Sequence, residues 1–328
     1  LVGNVWQNLG EDADGDGRTI EYINGQWVLD PGDLNEIDDD NFDGNPATLI
    51  DDLIGWDCSG YNGDQDNDPS PGNGWGWSHG THVAGLLSAT TNNNTGIAST
   101  AFNCSILPVK CTADNEDNNY ISNGYEGVFY AAQAGYNAEG FVIINCSWGG
   151  LGSNIFEQAN INTIYNNYNA VIVAASGNDF IESAHYPSSY DNVISVTALG
   201  SNGAYNNWAT YHETVDLGAP GEGIRSTTIN NYSTWDGTSM ASPNAAGAIA
   251  NVVSAQAPEA AAEAAAALIQ ANPDAAGAIA AGVAAQAPEA AADAASALVE
   301  ANPDAAAAIV GGMANANPDA VADVAGAM

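Results

Sequence analysis

Basic residues are almost absent from this sequence. Three lysines and arginines stand against 40 aspartates and glutamates, so the formal net charge is −37. Such a surface repels the phosphate backbone of a nucleic acid and the anionic face of a membrane, because like charges repel each other. The composition therefore excludes nucleic-acid and membrane partners from our functional predictions.

Long apolar runs are lacking as well. No stretch of the sequence approaches the roughly 18 to 20 consecutive apolar residues that a membrane-spanning helix needs. Cysteines are few, and the four that occur show no metal-ligand spacing, which favours buried free thiols over a zinc site or disulfides. Because 45% of the residues are nonetheless hydrophobic, we predict a folded protein rather than a disordered one.

Composition divides the chain into an acidic stretch, a mixed stretch and an alanine-rich tail. Residues 1–68 hold 18 of the 40 acidic residues and are predicted to be rich in loops. Residues 81–256 alternate short apolar runs with helical stretches, which is the order typical of βαβ units. We therefore predict an α/β fold whose parallel sheet is covered by helices on both faces, within one domain of residues 1–256.

The alanine-rich tail, residues 257–328, is an internal repeat. Each unit has a proline preceded by a small or capping residue and followed by an acid, which is typical of the start of a helix. We predict five short helices, stacked as hairpins. Two roles stay open for them, a spacer without its own function and an array that binds an unknown protein. The prolines recur at a constant spacing of 15 residues, at Pro258, Pro273, Pro288, Pro303 and Pro318.

Two motifs place reactive side chains at predicted helix starts. His79 lies near the start of the segment 78–85, whose small residues let a helix pack closely behind the histidine. Ser239 lies in the segment 237–243, where a nucleophile at a helix N-terminus has its oxyanion next to free backbone N–H groups. Between them, Asn178 follows a buried strand, and its amide could donate to that oxyanion. Together the motifs predict acyl transfer by a serine.

In this order and at these separations, the motifs HGTHVAG, SGN and GTSMASP resemble those of the subtilisin-like serine proteases, or subtilases. The resemblance implies a subtilisin-like parallel sheet and a serine endopeptidase that cleaves polypeptide substrates. It implies His79 as the general base and Ser239 as the nucleophile. It also implies that Asn178 and the Ser239 backbone N–H form the oxyanion hole, and that His82 has a structural role.

The resemblance further implies two walls of a substrate-binding cleft. The segment 145–150 is similar to the strand that pairs with the substrate backbone in this family, so that an extended peptide adds to a sheet edge. Tyr186–Pro187 matches the family position of a cis proline, which the sequence alone does not settle. The residues implied to bind substrate are Ser147, Trp148 and Gly149 on one wall and Ser176 and Gly177 on the other.

The clearest departure of this chain from the subtilase pattern concerns the third catalytic residue, an aspartate. Subtilases take it from an Asp-Ser/Thr-Gly strand before the histidine motif, and this chain has no such segment. Residues 1–6 resemble what directly follows that segment, so we expect the catalytic aspartate and its strand to lie outside the chain, and the chain alone to be nearly inactive. Asp57 also ends an apolar run, but residues 50–57 resemble a different, DDxxGWDF-like family segment.

Acidic residues alternate at every second position in three segments. Alternation next to a glycine turn can wrap oxygen atoms around Ca²⁺. The segments that begin at Asp12 and Asp39 are not complete EF-hands, since their twelfth positions are Ile23 and Ile50 instead of glutamate. We predict structural calcium here, with solvated acidic loops as the alternative. The candidate ligands are Asp12, Asp14, Asp16, Asp39, Asn41, Asp43, Asp64, Asp66 and Asp68.

Two functional hypotheses follow. The first is a secreted serine endopeptidase. The motifs predict the activity, and the strongly acidic surface favours secretion because it suits a salty or calcium-containing extracellular medium. The second is a non-catalytic calcium-binding adhesion or interaction module built on the same fold, which the absent aspartate makes worth testing.

Overall fold

The computed structural model describes residues 1–72, 75–102, 104–115 and 120–253, together with residues 299, 306 and 309. The chain divides into two compact units, Leu1–Ala250 and Asn251–Met328. In the tail, the three described residues are helical. The five helices predicted for residues 257–328 otherwise lie outside the described residues, and that part of the domain assignment stays a prediction.

Eleven strands and four α-helices organise the described part of the chain. The strands are β1 Ile20–Ile23, β2 Gln26–Leu29, β3 Trp56–Tyr61, β4 Asp64–Asp66, β5 Val109–Lys110, β6 Val142–Cys146, β7 Ala170–Ala175, β8 Val193–Leu199, β9 Leu217–Pro220, β10 Ile224–Thr228 and β11 Asn231–Trp235. The helices are α1 Ser78–Ser88, α2 Gly124–Glu139, α3 Ile155–Asn167 and α4 over residues 238–253. Among the described residues, none of the helices combines the length and the apolar composition needed to cross a membrane.

The central sheet has four parallel strands in the order β6-β7-β8-β9. Strand β7 reads Ala-Val-Ile-Val-Ala-Ala and is buried along almost its whole length, as expected for a parallel strand covered on both faces. On one face, Ile161 of α3 packs with Ile144 and Ile172 of the sheet. On the other face, Ala245 and neighbouring alanines of α4 pack on β7 and β8. The predicted α/β sheet with helices on both faces is confirmed.

A second sheet, in the order β4-β3-β5, continues the core beside the first. Strands β3 and β5 are parallel to each other. Leu107 and Val109, at β5, pack against the same hydrophobic cluster as Ile144 and Cys146 of β6. Among the described residues, however, no backbone ladder joins β5 to β6. The parallel sheet is therefore interrupted between these two strands.

The acidic region 1–68 is mostly turns, but it contains a hairpin that the sequence analysis did not identify. Strands β1 and β2 pair antiparallel around Asn24 and Gly25. Both turn residues have positive φ, 52° and 88°, which a two-residue hairpin of this hand requires. The Asn-Gly pair was the available sequence signal.

Candidate active site

Helix α1 carries His79 in its first turn and packs tightly on strand β10. Gly85 is needed for this approach, because a Cβ atom there would lie 2.2 Å from Thr227 Oγ1 and 2.4 Å from Ser226 Oγ. The same two hydroxyl groups donate hydrogen bonds to carbonyl oxygens of α1, at 2.8 and 2.7 Å. The position of His79 is therefore fixed by close packing of the α1 backbone on the hydroxyl groups of β10.

The surroundings of His79 are aromatic and poorly solvated. The ring of Trp235 stacks on His82 at a centroid distance of 4.3 Å and lies 6.2 Å from the ring of His79. Burial, and secondarily the nearby His82, lowers the pKa of His79 below its usual value. His79 is thus neutral at neutral pH, the form that can accept a proton. No acidic side chain of the described residues contributes to this shift.

Ser239 lies in the first turn of α4, where backbone N–H groups have no partner within the helix. Its hydroxyl donates to the carbonyl oxygen of Ser147 at 3.3 Å, and Ser147 Oγ donates back to the Ser239 carbonyl at 2.8 Å. The next residue, Met240, packs against Val83 of α1, so the two helices that carry His79 and Ser239 are in contact. The Ser239 hydroxyl faces the carbonyl oxygen of Ser147.

Asn178 follows strand β7 and is held by the residue that precedes the serine. The Oδ1 atom of Asn178 accepts hydrogen bonds from the Thr238 N–H at 3.0 Å and from Thr238 Oγ1 at 3.1 Å. Thr238 Oγ1 also accepts from the Gly177 N–H at 3.2 Å. Because the amide oxygen is committed to Thr238, the Nδ2 amino group is the part of this exposed side chain that can donate to a ligand. An amino group aimed outward beside Ser239 can stabilise an oxyanion.

The model of the subtilase family (peptidase S8) matches residues 39–302, well over half of the chain. The chain belongs to the subtilase family. It is 39% identical to thermitase of Thermoactinomyces vulgaris over 203 residues, which are 62% of this chain and 67% of thermitase. It is 33% identical to the extracellular basic protease of Dichelobacter nodosus over 235 residues, 67% of this chain but only 38% of that protease.

Solved subtilase structures agree with this assignment. Sphericase aligns with a TM-score of 0.52 and 27% sequence identity, over 60% of this chain and 68% of sphericase. The chain spans about two thirds or less of the relatives that it matches, so the activity of the whole protein is treated below as a proposal.

The segment predicted to form one wall of the substrate cleft is tied to Ser239 by side-chain hydrogen bonds. Ser242 Oγ donates to Asn145 Oδ1 at 2.7 Å, and Asn145 Nδ2 donates to Ser147 Oγ at 2.9 Å. Ser147 in turn contacts Ser239, so the end of β6 and the start of α4 are held together. Trp148 lies against α2, with its ring 5.4 Å from that of Tyr125. Its indole therefore fills space at the start of α2, beside the core.

The segment predicted to form the opposite wall lies against a histidine that the sequence analysis did not select. A Cβ atom at Gly149 would lie 2.5 Å from His185 Cε1, and one at Gly177 would lie 2.6 Å from His185 Cδ2. His185 therefore lies between the glycines of the two walls, and burial lowers its pKa. Gly177 also has φ +98°, while Ser176 is buried and donates to the Thr210 carbonyl at 3.1 Å. No local signal identifies His185, because its neighbours are distant in sequence.

The cleft wall also contains the cis bond that the sequence could not decide. The Tyr186–Pro187 peptide bond is cis. Tyr186 exchanges two backbone hydrogen bonds with Gly150, at 2.8 and 2.7 Å.

Asp57 is engaged in an ion pair rather than placed beside His79. Its carboxylate is fully buried, accepts from Lys110 Nζ at 2.5 Å, and accepts from the backbone N–H groups of Ser59 and Gly60 at 2.9 and 2.8 Å. Lys110 is also paired with Asp114. Asp57 thus stabilises the turn at β3, and the described residues place no carboxylate against the imidazole of His79.

The three alternating acidic segments behave differently from one another. Asp12, Asp14 and Asp16 bring one carboxylate oxygen each within 4.8 Å of the others. Asp12 also accepts from three backbone N–H groups of its own loop, at 2.8 to 3.1 Å. In the third segment, Asp66 lies with Asp57 and Asp114 instead of its sequence neighbours. Among the described residues, no comparable group forms from Asp64, Asp66 and Asp68.

Proposed function

We propose that this chain supplies the nucleophile, the general base and the oxyanion hole of a secreted serine endopeptidase that cleaves polypeptides. The observation that carries the proposal is the orientation of Asn178. Its amide oxygen is bound to Thr238, the residue before Ser239, so its amino group is directed outward next to the serine. A fixed N–H donor beside a serine nucleophile is what acyl transfer requires, because the reaction develops a negative charge on the substrate oxygen.

The chemistry runs in two halves. Ser239 Oγ attacks the peptide carbonyl carbon while His79 takes the hydroxyl proton, and the oxyanion receives the N–H groups of Asn178 and Ser239. The carbon–nitrogen bond then breaks as His79 returns the proton to the leaving amine. Water attacks the resulting acyl-enzyme by the same route, and Ser239 regains its proton. The buried, neutral state of His79 suits the first proton transfer.

Full activity also needs a carboxylate beside His79, and we propose that it comes from a further parallel strand. The interruption between β5 and β6 supports this proposal, because both strands belong to one hydrophobic core but are not hydrogen-bonded to each other. Unpaired backbone groups at two facing edges are unfavourable when buried, and one inserted strand would pair both edges. An aspartate at the carboxyl end of that strand would approach the catalytic helices.

Extracellular polypeptides are the proposed substrates. Relatives from Dichelobacter nodosus and Xanthomonas campestris are named extracellular proteases, which supports secretion of this protein too. Structural Ca²⁺ is proposed as its cofactor, and the convergent carboxylates of Asp12, Asp14 and Asp16 suit a hard cation. No catalytic step requires that ion.

Replacement of Asn178 tests the oxyanion assignment. We expect Asn178→Ala to lower kcat for a peptide substrate by about 10² to 10³, with little change in KM, because the lost hydrogen bond forms only in the transition state. That range is the loss found for the corresponding donor of subtilisin, a relative.

The matched variant is Asn178→Asp, which keeps an oxygen to accept from Thr238 but has no amino group to donate. We expect it to be at least as impaired as the alanine variant. Near-normal kcat in Asn178→Asp would mean that this side chain serves the loop structure and not the oxyanion.

A further inference from the structure

Three carboxylates that the alternating pattern did not select lie together inside the acidic region. One oxygen from each of Glu11, Asp40 and Asp52 lies within 4.8 Å of the other two. Glu11 and Asp52 are completely buried, each with 0% of its surface exposed, and Asp40 is half-buried. The three residues come from distant positions, so the fold and not a local loop brings them together.

Neutral donors only partly satisfy this cluster. Asn8 Nδ2 donates to Asp52 Oδ1 at 2.7 Å and to Asp40 Oδ2 at 3.0 Å, while the Tyr130 hydroxyl donates to Asp52 Oδ2 at 2.7 Å. Glu11 Oε1 accepts from the Asp40 N–H at 3.0 Å. The other oxygen, Glu11 Oε2, is buried and has no hydrogen-bond partner. A buried carboxylate oxygen without a partner carries a large desolvation cost.

No basic side chain neutralises the cluster. The chain contains only three lysines and arginines. Arg18 pairs with Asp16 and Glu21, Lys110 pairs with acidic residues at β3, and Arg225 lies over the ring of Tyr232 at 5.5 Å. None of these three residues therefore compensates the charge of the cluster.

Three carboxylates this close repel one another, and burial strengthens the repulsion because little solvent screens it. A divalent cation would neutralise the three carboxylates, and it would also occupy the unpaired oxygen of Glu11.

We propose that Glu11, Asp40 and Asp52 form a structural Ca²⁺ site, distinct from the alternating segments. Carboxylate oxygens are ligands that Ca²⁺ prefers, and these three come from separate parts of the acidic region, so the ion would join those parts. A cavity of about 310 Å³ lined by Asn8, Gly10 and Asp40 gives the ion a route from solvent. At Gly10, a Cβ atom would lie 2.5 Å from Asp40 Cβ, so a side chain there would push this ligand away.

Thermal unfolding with and without calcium tests the site, and it does not depend on catalysis. For the unaltered protein we expect the Tm in Ca²⁺ at about 100 times Kd to exceed the Tm in EDTA by roughly 5 to 10 °C. In Glu11→Gln this response should fall to what the alternating segment alone supplies, and the Tm in EDTA should equal or exceed that of the unaltered protein, because a buried charge has been removed. The exposed Glu36→Gln makes the same chemical change and should keep the full response.

Binding is measured separately with Tb³⁺, which takes calcium sites and emits when a nearby aromatic ring is excited. Tyr130 bonds directly to Asp52, and its ring lies 6.4 Å from that of Trp56, so emission displaced by Ca²⁺ is expected and should fall several-fold in Glu11→Gln. If that variant does not fold, the half-exposed Asp40→Asn should show the same losses. Asp14→Asn alters only the alternating segment, so a calcium response that this variant keeps is assigned to the Glu11, Asp40 and Asp52 site.

Three results would overturn the proposal. One is a full calcium response in Glu11→Gln or Asp40→Asn. Another is loss of the response only in Asp14→Asn. The last is an equal drop in the Tm of Glu11→Gln in EDTA and in calcium, which would indicate a purely structural glutamate.

Discussion

Replacement of Ser239 by alanine lowers kcat for peptide hydrolysis by about 10⁶ in the active protein, the largest effect that we predict. In subtilisin, a relative, loss of the catalytic serine costs this much, because the remaining groups have no nucleophile to activate. The structure gives Ser239 the features of that nucleophile. It lies in the first turn of α4, next to Asn178 and on a helix that contacts the helix of His79. Steady-state hydrolysis of a chromogenic peptide measures the loss.

The control for this variant is Ser201→Ala, at an exposed serine in the turn after β8. We expect it to keep normal kcat and KM. Both alanine variants should have the circular dichroism spectrum and Tm of the unaltered protein, since Ser239 Oγ makes only one long hydrogen bond, at 3.3 Å to Ser147. Substantial peptide hydrolysis by Ser239→Ala would show that another residue is the nucleophile.

The second large effect concerns the carboxylate beside His79. We expect a chain extended at its N-terminus by the residues that its gene encodes there to hydrolyse peptides about 10⁴-fold faster than the 328-residue chain, provided that they contain the aspartate strand. The magnitude is that of aspartate replacement in serine protease triads, where the imidazole takes the wrong tautomer and its protonated form is less stable. In the extended chain, replacing that aspartate with asparagine should remove the gain.

The pKa of His79 gives the same test without turnover. In the 328-residue chain, burial lowers the pKa of His79 and no described carboxylate opposes the effect. His79 should therefore gain a proton at a lower pH than an ordinary histidine does. A carboxylate beside the ring stabilises the protonated form and should raise the pKa in the extended chain. Because the neutral imidazole is the base, kcat/KM should rise with pH through that pKa. NMR titration of the ring protons measures it, and equal values in the two chains would contradict the proposed strand.

The residues of the candidate active site could be identified from sequence because each lies in a short segment with its own backbone geometry. His79 and Ser239 begin helices, and Asn178 ends a buried strand, so their surroundings are encoded within a few positions. The alternation of apolar and helical stretches likewise predicted the parallel sheet. These patterns involve only residues that are close in sequence, so they can be recognised before a structure is known.

What the sequence did not show depends on contacts between distant segments. His185 fills the space between Gly149 and Gly177 only once strands, loops and a cis bond are in place. The pattern of alternating acids selects residues that are close in sequence. It therefore missed Glu11 and Asp52, whose carboxylates meet through folding. Likewise, nothing local indicates that Asp57 pairs with Lys110.

The central claim, that Ser239 is the activated nucleophile of a subtilase, is tested most directly by labelling with a fluorophosphonate probe. The unaltered and Ser239→Ala forms of both the 328-residue chain and the extended chain would be compared. We predict strong labelling of the extended chain, little labelling of the 328-residue chain, and none of either Ser239→Ala form. A folded extended chain that carries the aspartate but does not react, or that reacts equally after Ser239→Ala, would contradict the account and favour a non-catalytic binding module.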